Sequence, residues 1–448
     1  MKRYREIVVL GAAESGTGAA VLAQKKGLKV FVSDKGAIKE TYKSVLIHFD
    51  IDFEEGNHDT KRILEADEVI KSPGIPDTIP LIEAIRRKNI PVISEIEFAA
   101  RYTSAKLIGI TGSNGKTTTT LLLGYILKTA GLNVGVAGNI GKSFAWQVAE
   151  DDKDVFVLEL SSFQLDGMQN FKADISILLN ITPDHLDRYD NKFENYINSK
   201  FRILQNQSKN DAIIYCFDEQ VIVNELAKMK IGIKQFPFSL KYLDVANGAY
   251  INKGKLIIKH HKKEFDMTLE QLALQGKHNV YNSMAAGVAA KLMEIRNDTI
   301  KQCLSDFQNI AHRLEYVGSV HGIRFINDSK ATNVNSTWYA LESAEHPTVW
   351  IAGGIDKGND YNSIKSLVKQ KVKAIVCLGL DNHKIHEAFA DDVELIFDTE
   401  TAEEAVQAAY QIASKGDTVL MSPACASFDL FENYEDRGNQ FKQAVNNL

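Results

Sequence analysis

The chain has 448 residues and is poor in several things. Its four cysteines, Cys216, Cys303, Cys377 and Cys425, are scattered, and no two form a C-x-x-C pair. That excludes a disulfide framework, gives no zinc-binding motif, and fits reduced, buried thiols of a cytoplasmic enzyme. No apolar run approaches the roughly 18 residues that cross a membrane. The N-terminus, "MKRYREIVVLG", carries only a short apolar stretch after its charges, the pattern of a strand rather than a secretory leader. Membrane insertion is not expected. Positive charge is not in excess: 52 Lys and Arg against 58 Asp and Glu leave a net charge of −6, which argues against nucleic acid or a membrane surface as the main partner. There is no low-complexity tract and no repeat of short period.

What is present is an α/β pattern. The hydrophobic fraction of 44% and charged fraction of 25% are those of a globular protein. At about 150 residues per domain, the length suggests two to four domains. Three α/β segments can be read, 1–102, 103–310 and 311–448, with a linker-like stretch near 101–105. The first opens with "EIVVLGAAESGTGAAVLAQKKGLKVFVSDK", a strand, a glycine-bearing turn, a helix and a second strand ending at Asp34. This is the start of a dinucleotide-type fold, with an acidic residue near the offset where a ribose hydroxyl would be held. The spacing of Gly11, Gly16 and Gly18 is a variant one, so a Rossmann-like domain without a redox cofactor is equally compatible. "DEVIKSPGIP" repeats the logic, with Ser72-Pro73-Gly74 at the carboxyl end of a strand.

The second segment begins with "KLIGITGSNGKTTTTLLLGYIL". An apolar strand, a glycine loop, a lysine and a helix N-terminus together make an anion cradle of free N–H groups, helix dipole and point charge. The loop fails the G-x-x-x-x-G-K-[ST] count, because Ile110 stands where the first glycine belongs. A glycine-rich turn is the plain alternative, but a G-K-T-T-T-T run has little packing reason to exist. Gly112 and Gly115 would let the backbone approach a phosphate, Lys116 would reach its oxygens, and Thr117 would offer a hydroxyl to Mg²⁺. Strands at "NVGVAG", "DVFVLELSS" and "DISILLNIT" end in polar clusters, which a parallel sheet would align beside the loop. Glu159, ending one of them, is a candidate Mg²⁺ ligand or else a solvent-facing strand end. "GAYINKGKLIIKHHKKEFDM" reads as an appended antiparallel hairpin.

Taken together, "GITGSNGKTT", "GNIG", "ELSSFQLD", "NITPDHLDRY", "GKHNVYN", "AHRLEYV", "NDSKATN", "AGGIDKG" and "SPACASFDLFENYEDRG" resemble, in the same order, the motifs of the Mur ligases of peptidoglycan synthesis. The likeness covers essentially the whole chain and is greatest to members that add D-glutamate. It also accounts for the failed count, since the family's loop is the shorter G-[ST]-N-G-K-[ST], matched by Gly112 to Thr117.

The resemblance implies three domains: a Rossmann-like UDP-binding domain, a central P-loop-type ATPase domain with a parallel sheet, and a C-terminal Rossmann-like domain. It implies that the carboxylate of UDP-N-acetylmuramoyl-L-alanine takes the γ-phosphate of ATP, and that the amine of D-glutamate attacks the resulting acyl phosphate. Lys116, His185 and Lys200 would be catalytic. ATP would be held by Gly112, Ser113, Asn114, Gly115, Lys116, Thr117, Thr118, Asn279, Asn282, Arg313, Asp328 and Lys330. Two Mg²⁺ sites are implied, one at Thr117 and Glu159, the other at His185 and a carbamoylated Lys200. By itself, a lone lysine in "FENYINSKFRIL" would be a solvated helix residue. The UDP-substrate would meet Ser15, Gly16, Thr17, Asp34, Lys35, Ser72, Pro73, Gly74, Asn139 and Gln164, which decides the dinucleotide question against NAD.

D-Glutamate would meet Thr332, Lys357, Ser427, Phe428 and Tyr434. This chain has Phe428 and Tyr434 where the family more often has leucine and phenylalanine. A sister ligase adding a different residue, or a folylpolyglutamate-forming enzyme, would share the central motifs. The Rossmann-like N-terminal domain argues against the folate enzyme, and "SPACASFD" argues for D-glutamate. A non-catalytic nucleotide switch would have no use for Lys116, Glu159, His185, Lys200 and Lys330 together. A cytoplasmic monomer is expected.

Overall fold

The computed structural model describes residues 6–229, 232–243, 245–261, 263–307, 311–342, 344 and 347–448, without side-chain detail at Asn335. The chain divides into two compact units, Met1–Phe307 and Gln308–Leu448. The division expected between residues 310 and 311 falls at the edge of 308–310, outside the described residues.

The first unit holds two sheets. One has five parallel strands, β1 (Glu6–Leu10), β2 (Lys29–Asp34), β3 (Asp52–Glu55), β4 (Glu68–Lys71) and β5 (Val92–Ile93), in the order β3-β2-β1-β4-β5. After Glu6, β1 is a continuous apolar run, as expected of a parallel strand covered on both faces. Strand order reverses beside β1, so the turns after β1 and β4 flank a crevice of the kind where open α/β sheets bind ligands. The helix Glu14–Lys25 is built from small residues, "GTGAAVLA" among them. A Cβ on Gly16 would collide with the carbonyl of Gly11, and one on Gly18 with the hydroxyl of Ser143. The helix can therefore lie tightly against the turn after β1 and also against the helix Phe144–Glu150, which belongs to the next sheet.

That second sheet holds β6 (Lys106–Thr111), β7 (Val134–Gly138), β8 (Val155–Glu159), β9 (Ile175–Leu178), β10 (Ala212–Cys216), β11 (Lys234–Ser239), β12 (Gly248–Asn252), β13 (Lys255–His260) and β14 (Lys263–Thr268). Its order is β14-β13-β12-β11-β10-β9-β6-β8-β7. Pairing is parallel from β7 to β12. The expected hairpin is part of a longer feature: β12, β13 and β14 form an antiparallel meander that continues the main sheet.

The stretch near 101–105 is no loose tether. Arg101 pairs with Glu68 at 2.9 Å and with Glu97 at 3.4 Å. One oxygen of Glu97 also accepts the backbone N–H groups of Gln169, Asn170 and Phe171 at 3.0, 3.0 and 2.7 Å. Such charge-assisted bonds are roughly twice as strong as neutral ones. They staple the helix Glu95–Ala100 to the loop before β9, which is why the first two sheets share one compact unit.

The second unit carries β15 (Glu315–Val320), β16 (Ile323–Asn327), β17 (Thr348–Gly353), β18 (Val372–Leu378), β19 (Ile396–Thr399) and β20 (Thr418–Ala424), in the order β15-β16-β20-β17-β18-β19. All pairs are parallel except β15 with β16. The edge strand β15, in "EYVGSV", escapes a reading by hydrophobic pattern because its residues are half exposed.

Glu95 is fully buried beside the N-terminus of the helix Phe144–Glu150. One of its oxygens accepts the Ala145 N–H at 2.5 Å, and the other has no hydrogen-bond partner. Desolvation pushes its pKa from 4.5 to about 7, against the pull of the Ala145 N–H. The folded value lies above the ordinary one, so the fold favours the protonated acid. The stability is fully present below pH 4.5 and is lost as pH rises through about 7, up to roughly 3 kcal/mol. Glu95→Gln should therefore flatten the pH dependence of unfolding of this unit and stabilise it at pH 8. Denaturant unfolding at pH 5 and pH 8 checks this; the same pH difference in both proteins would refute it.

Candidate active site

The loop after β6 is shaped by the strand beside it. β6 pairs with β8 on one side and β9 on the other, so the chain leaving β9 runs past the loop. Asn180 latches it there. Its carbonyl accepts the Ser113 N–H at 2.9 Å, its Oδ1 accepts the Asn114 N–H at 2.8 Å, and its Nδ2 donates to the Asn114 carbonyl at 3.1 Å. Ser113 Oγ donates to the Thr182 carbonyl and accepts the Thr182 N–H, both at 2.9 Å. Gly115 caps the helix Lys116–Thr129 at φ 82°, and a Cβ there would collide with Asn282 Oδ1. Asn282, on the helix Lys277–Leu292, also accepts from Thr119 Oγ1 at 3.2 Å and donates to Asn279 Oδ1 at 3.2 Å. The structure thus brings the loop, Asn279 and Asn282 together. Lys116 folds back over its own loop, its ammonium donating to the carbonyls of Gly112 at 2.7 Å and Ser113 at 2.8 Å.

Glu159 ends β8 and is 2% exposed. Its Oε1 accepts from Asn139 Nδ2 at 2.9 Å, whereas Oε2 is buried with no hydrogen-bond partner. The hydroxyl of Thr118 is buried and unpartnered too. A carboxylate oxygen without a donor is costly unless something positive takes it. The surroundings therefore suit a cation, and the solvent-facing alternative for Glu159 fails.

Lys200 lies in the helix Phe193–Phe201 and is 1% exposed, which excludes a solvated lysine. Its Nζ is 3.5 Å from Thr111 Oγ1 and 4.9 Å from the ring centre of Tyr196. Burial, with the charge of Lys116 adding to it, holds its pKa well below the ordinary lysine range, while Asp184, Asp166 and Glu159 pull the other way. Tyr196 stands between lysine and loop, its hydroxyl 3.2 Å from Ser113 Oγ. His185 adopts a left-handed backbone, φ 52°, a strained choice for a residue with a side chain. Its ring meets Phe163 edge-on at 5.1 Å, with Nε2 3.8 Å from Asp184 Oδ2. Asn180, Tyr196 and Asp184 were not among the sequence candidates. Their only signal was their place in "NITPDH" and "FENYINSK".

In the first sheet's crevice, Ser72 Oγ is buried, unpartnered, and 2.5 Å from where a Gly11 Cβ would stand. Asp34 spends its oxygens on the turns around it, accepting the Ala12 N–H at 2.7 Å and the Gly36 N–H at 2.8 Å. Thr17 is fully buried and donates to the Ala12 carbonyl at 3.1 Å, so its hydroxyl faces protein. Gln164 forms a capping box with Ser161 and is likewise turned inward. Ser15 and Pro73 are half-buried, and Lys35 and Gly74 are exposed.

In the second unit, Asp328 follows β16. It accepts from Leu314 N at 3.2 Å and Ser422 Oγ at 2.7 Å. Burial pushes its pKa up to about 6, opposed by Arg313. Lys330 donates to Tyr434 OH at 3.0 Å, and Thr332 N–H to the Lys330 carbonyl at 3.0 Å. An antiparallel bridge joins Ile355 to Ala426; Lys357 and Phe428 are exposed and Ser427 is buried. Arg437, also missed by the sequence reading, is 1% exposed and donates to the Ser329 hydroxyl and carbonyl, both at 3.0 Å, and to the Cys425 carbonyl at 3.3 Å. Burial lowers its pKa to about 10.

Comparison with known proteins agrees with this layout. The MurD N-terminal domain matches residues 7–79, the Mur ligase middle domain 110–290, and the Mur ligase glutamate ligase domain 312–425. The chain is similar to the UDP-N-acetylmuramoylalanine–D-glutamate ligase of Christiangramia forsetii, 54% identical over 99% of this chain and 100% of that one. It is 57% identical to the enzyme of the same name from Bacteroides fragilis, again over 99% and 100%. Among solved structures, UDP-N-acetylmuramate-alanine ligase from Thermotoga maritima shares the fold at 16% identity, with a TM-score of 0.63 over 99% of this chain and 100% of that one.

The Asn180 latch can be tested. Asn180→Ala removes both side-chain bonds to Asn114, each worth about 1 kcal/mol. Nucleotide affinity should fall about tenfold or more while the far-UV spectrum is kept. Unchanged affinity by calorimetry would show that the backbone contacts hold the loop unaided.

Proposed function

The chain belongs to the Mur ligase family, and from that premise we propose that it joins D-glutamate to UDP-N-acetylmuramoyl-L-alanine, consuming ATP in peptidoglycan precursor synthesis. Mur ligases use ATP and Mg²⁺. The single observation that carries the site reading is the set at the head of the second sheet: the Lys116 loop, the donor-less Glu159 oxygen and the buried Lys200. A sister ligase adding a different residue is disfavoured by the MurD-type N-terminal domain and by the full-length relatives. The reading entails a cytoplasmic monomer of three functional domains, 1–102 for UDP, 103–310 for ATP and 311–448 for the amino acid.

The substrate carboxylate attacks the γ-phosphorus of ATP, ADP leaves, and the acyl phosphate forms. The amine of D-glutamate then adds to the acyl carbon, and phosphate departs as the amide closes. Both steps spread negative charge over phosphoryl oxygens, so fixed positive groups lower the barriers more than covalent devices would. The loop N–H groups, the helix N-terminus and Lys116 supply that field, Lys116 exchanging the Gly112 and Ser113 carbonyls for phosphate oxygens. Asn279 and Asn282, with Arg313, Asp328 and Lys330 from the second unit, hold the nucleotide. Ser15, Gly16, Ser72, Pro73, Gly74, Asp34 and Lys35 frame the UDP moiety, with Thr17 and Gln164 acting through the backbone they brace. Asn139 and His185 border the muramoyl end, and Thr332, Lys357, Ser427, Phe428 and Tyr434 receive D-glutamate.

Magnesium, held by Thr117 and Glu159 at one position and by His185 and Lys200 at a second, would neutralise phosphate charge when bound. An ammonium would repel it, but Lys200 is biased toward its neutral amine by burial and by Lys116. A neutral amine combines with CO₂ and releases a proton, leaving a carbamate whose anionic oxygens suit the ion.

ATP-dependent phosphate release should occur with UDP-N-acetylmuramoyl-L-alanine and D-glutamate and be abolished in Lys116→Ala. In a panel of D- and L-amino acids, comparable turnover with L-glutamate would sink the assignment. Lys200→Ala should be nearly inactive and partly restored by acetate, and wild-type enzyme freed of CO₂ should recover with bicarbonate. Full activity of Lys200→Ala without additive would refute the carbamate.

A further inference from the structure

A second cluster of ligand-type side chains lies far along the chain from these groups, in the third sheet. The parallel register of β18 and β19 sets Cys377 opposite Asp398. In-register neighbours of a parallel pair present their side chains on one face. The helix His383–Phe389 brings His386 to the same place, its Nε2 3.0 Å from both carboxylate oxygens of Asp398. Cys377 Sγ, a ring nitrogen of His386 and an oxygen of Asp398 all lie within 4.8 Å of one another, and no other such trio occurs among the described residues.

We infer that Cys377, His386 and Asp398 form a binding site for a borderline divalent cation of the zinc type, with a fourth position open to water. The sequence hid it because the three ligands come from two strands and a helix and share no short motif. The donor set is selective: thiolate and imidazole suit zinc, whereas Mg²⁺ and Ca²⁺ require oxygen. The size fits as well. Zinc with bonds of about 2.0–2.3 Å needs its ligand atoms roughly 3.3–3.7 Å apart. His386 and Asp398 stand slightly closer than that, at 3.0 Å, and Cys377 Sγ lies within 4.8 Å of both, so modest side-chain movement would close the three on an ion.

The neighbours also behave as outer ligands should. Asn382 Nδ2 donates to Asp398 Oδ1 at 3.0 Å and to the Gly379 carbonyl at 2.9 Å, holding one oxygen and leaving the other for an ion. Thr399 Oγ1 donates to the Cys377 carbonyl at 2.7 Å, anchoring the strand pair from the other side. Cys377 is wholly buried, while the side chains of His386 and Asp398 are 38% and 56% exposed, so an ion has a path in from solvent. Binding replaces the thiol proton, which leaves to water, and exchanges the His386–Asp398 contact for two metal bonds. The ion would pin the edge strand β19 and the helix to β18.

Cobalt(II) titration of the full-length, chelator-treated protein in excess Mg²⁺ tests this. The expected result is a near-ultraviolet thiolate-to-cobalt band with visible bands of four-coordinate cobalt, saturating at one ion per chain and bleached by zinc. A cation at Glu159 cannot give the thiolate band, because no cysteine is among the groups there. The band should vanish in Cys377→Ser and persist in Cys425→Ser. Should Cys377→Ser not fold, His386→Gln and Asp398→Asn, at exposed side chains, decide the matter by weakening cobalt binding at least about tenfold. Absence of a thiolate band in wild type, or full-strength binding in both His386→Gln and Asp398→Asn, would overturn the inference.

Discussion

The candidate active site depends on one register. β6 is clamped in parallel between β8 and β9, so three chain segments emerge side by side from the same edge. The loop after β6 is then braced by Asn180 and Thr182 from the β9 side, and Glu159 arrives from the β8 side. A slip of one residue would turn Glu159 into the opposite face and carry Asn180 off the loop, because side chains alternate along a strand. The near-continuous apolar character of these buried strands says little about register. The polar residues at their ends fix it: Asn180 meets the backbone of Asn114, and Glu159 meets the side chain of Asn139.

Electrostatics around that edge are arranged by removal of water as much as by pairing. Glu159 keeps an oxygen without a donor, Lys200 is stripped of solvent, and Lys116 donates to two carbonyls of its own loop. Each is costly in isolation. Together they make a buried polar site, and on the proposed reading phosphate and cations would offset the cost of burying these groups. The same economy appears in the second unit, where Asp328 and Arg437 are buried with pKa values moved toward neutrality.

Much of this was legible in the residues. Strand runs such as "KLIGIT" and "DVFVLE", glycines at the turns, and the polar clusters at strand ends gave the parallel sheets and the neighbourhood of the loop. Three kinds of feature were not legible. The half-exposed edge strand β15 has no apolar signature. The buried state of Lys200 depends on what covers its helix, and helix periodicity alone makes a lysine look solvated. The inward turn of the Thr17 hydroxyl to the Ala12 carbonyl, and of the Gln164 amide to the Ser161 cap, leaves no mark in a motif. In all three cases the missing information is tertiary.

The posture of Lys116 has a consequence for kinetics. Its ammonium donates to two carbonyls of the loop, which occupy the acceptor positions that phosphate oxygens would take. With Asn180 gripping the other side, the loop is held in one shape by contacts within the protein. Little conformational entropy remains to be surrendered when a nucleotide docks, so encounter should be limited by diffusion and charge rather than by a slow ordering step. On the proposed reading departure is different: the carbonyls take back Lys116 as the nucleotide leaves, so the side chain would act as a latch that resets itself after each turnover.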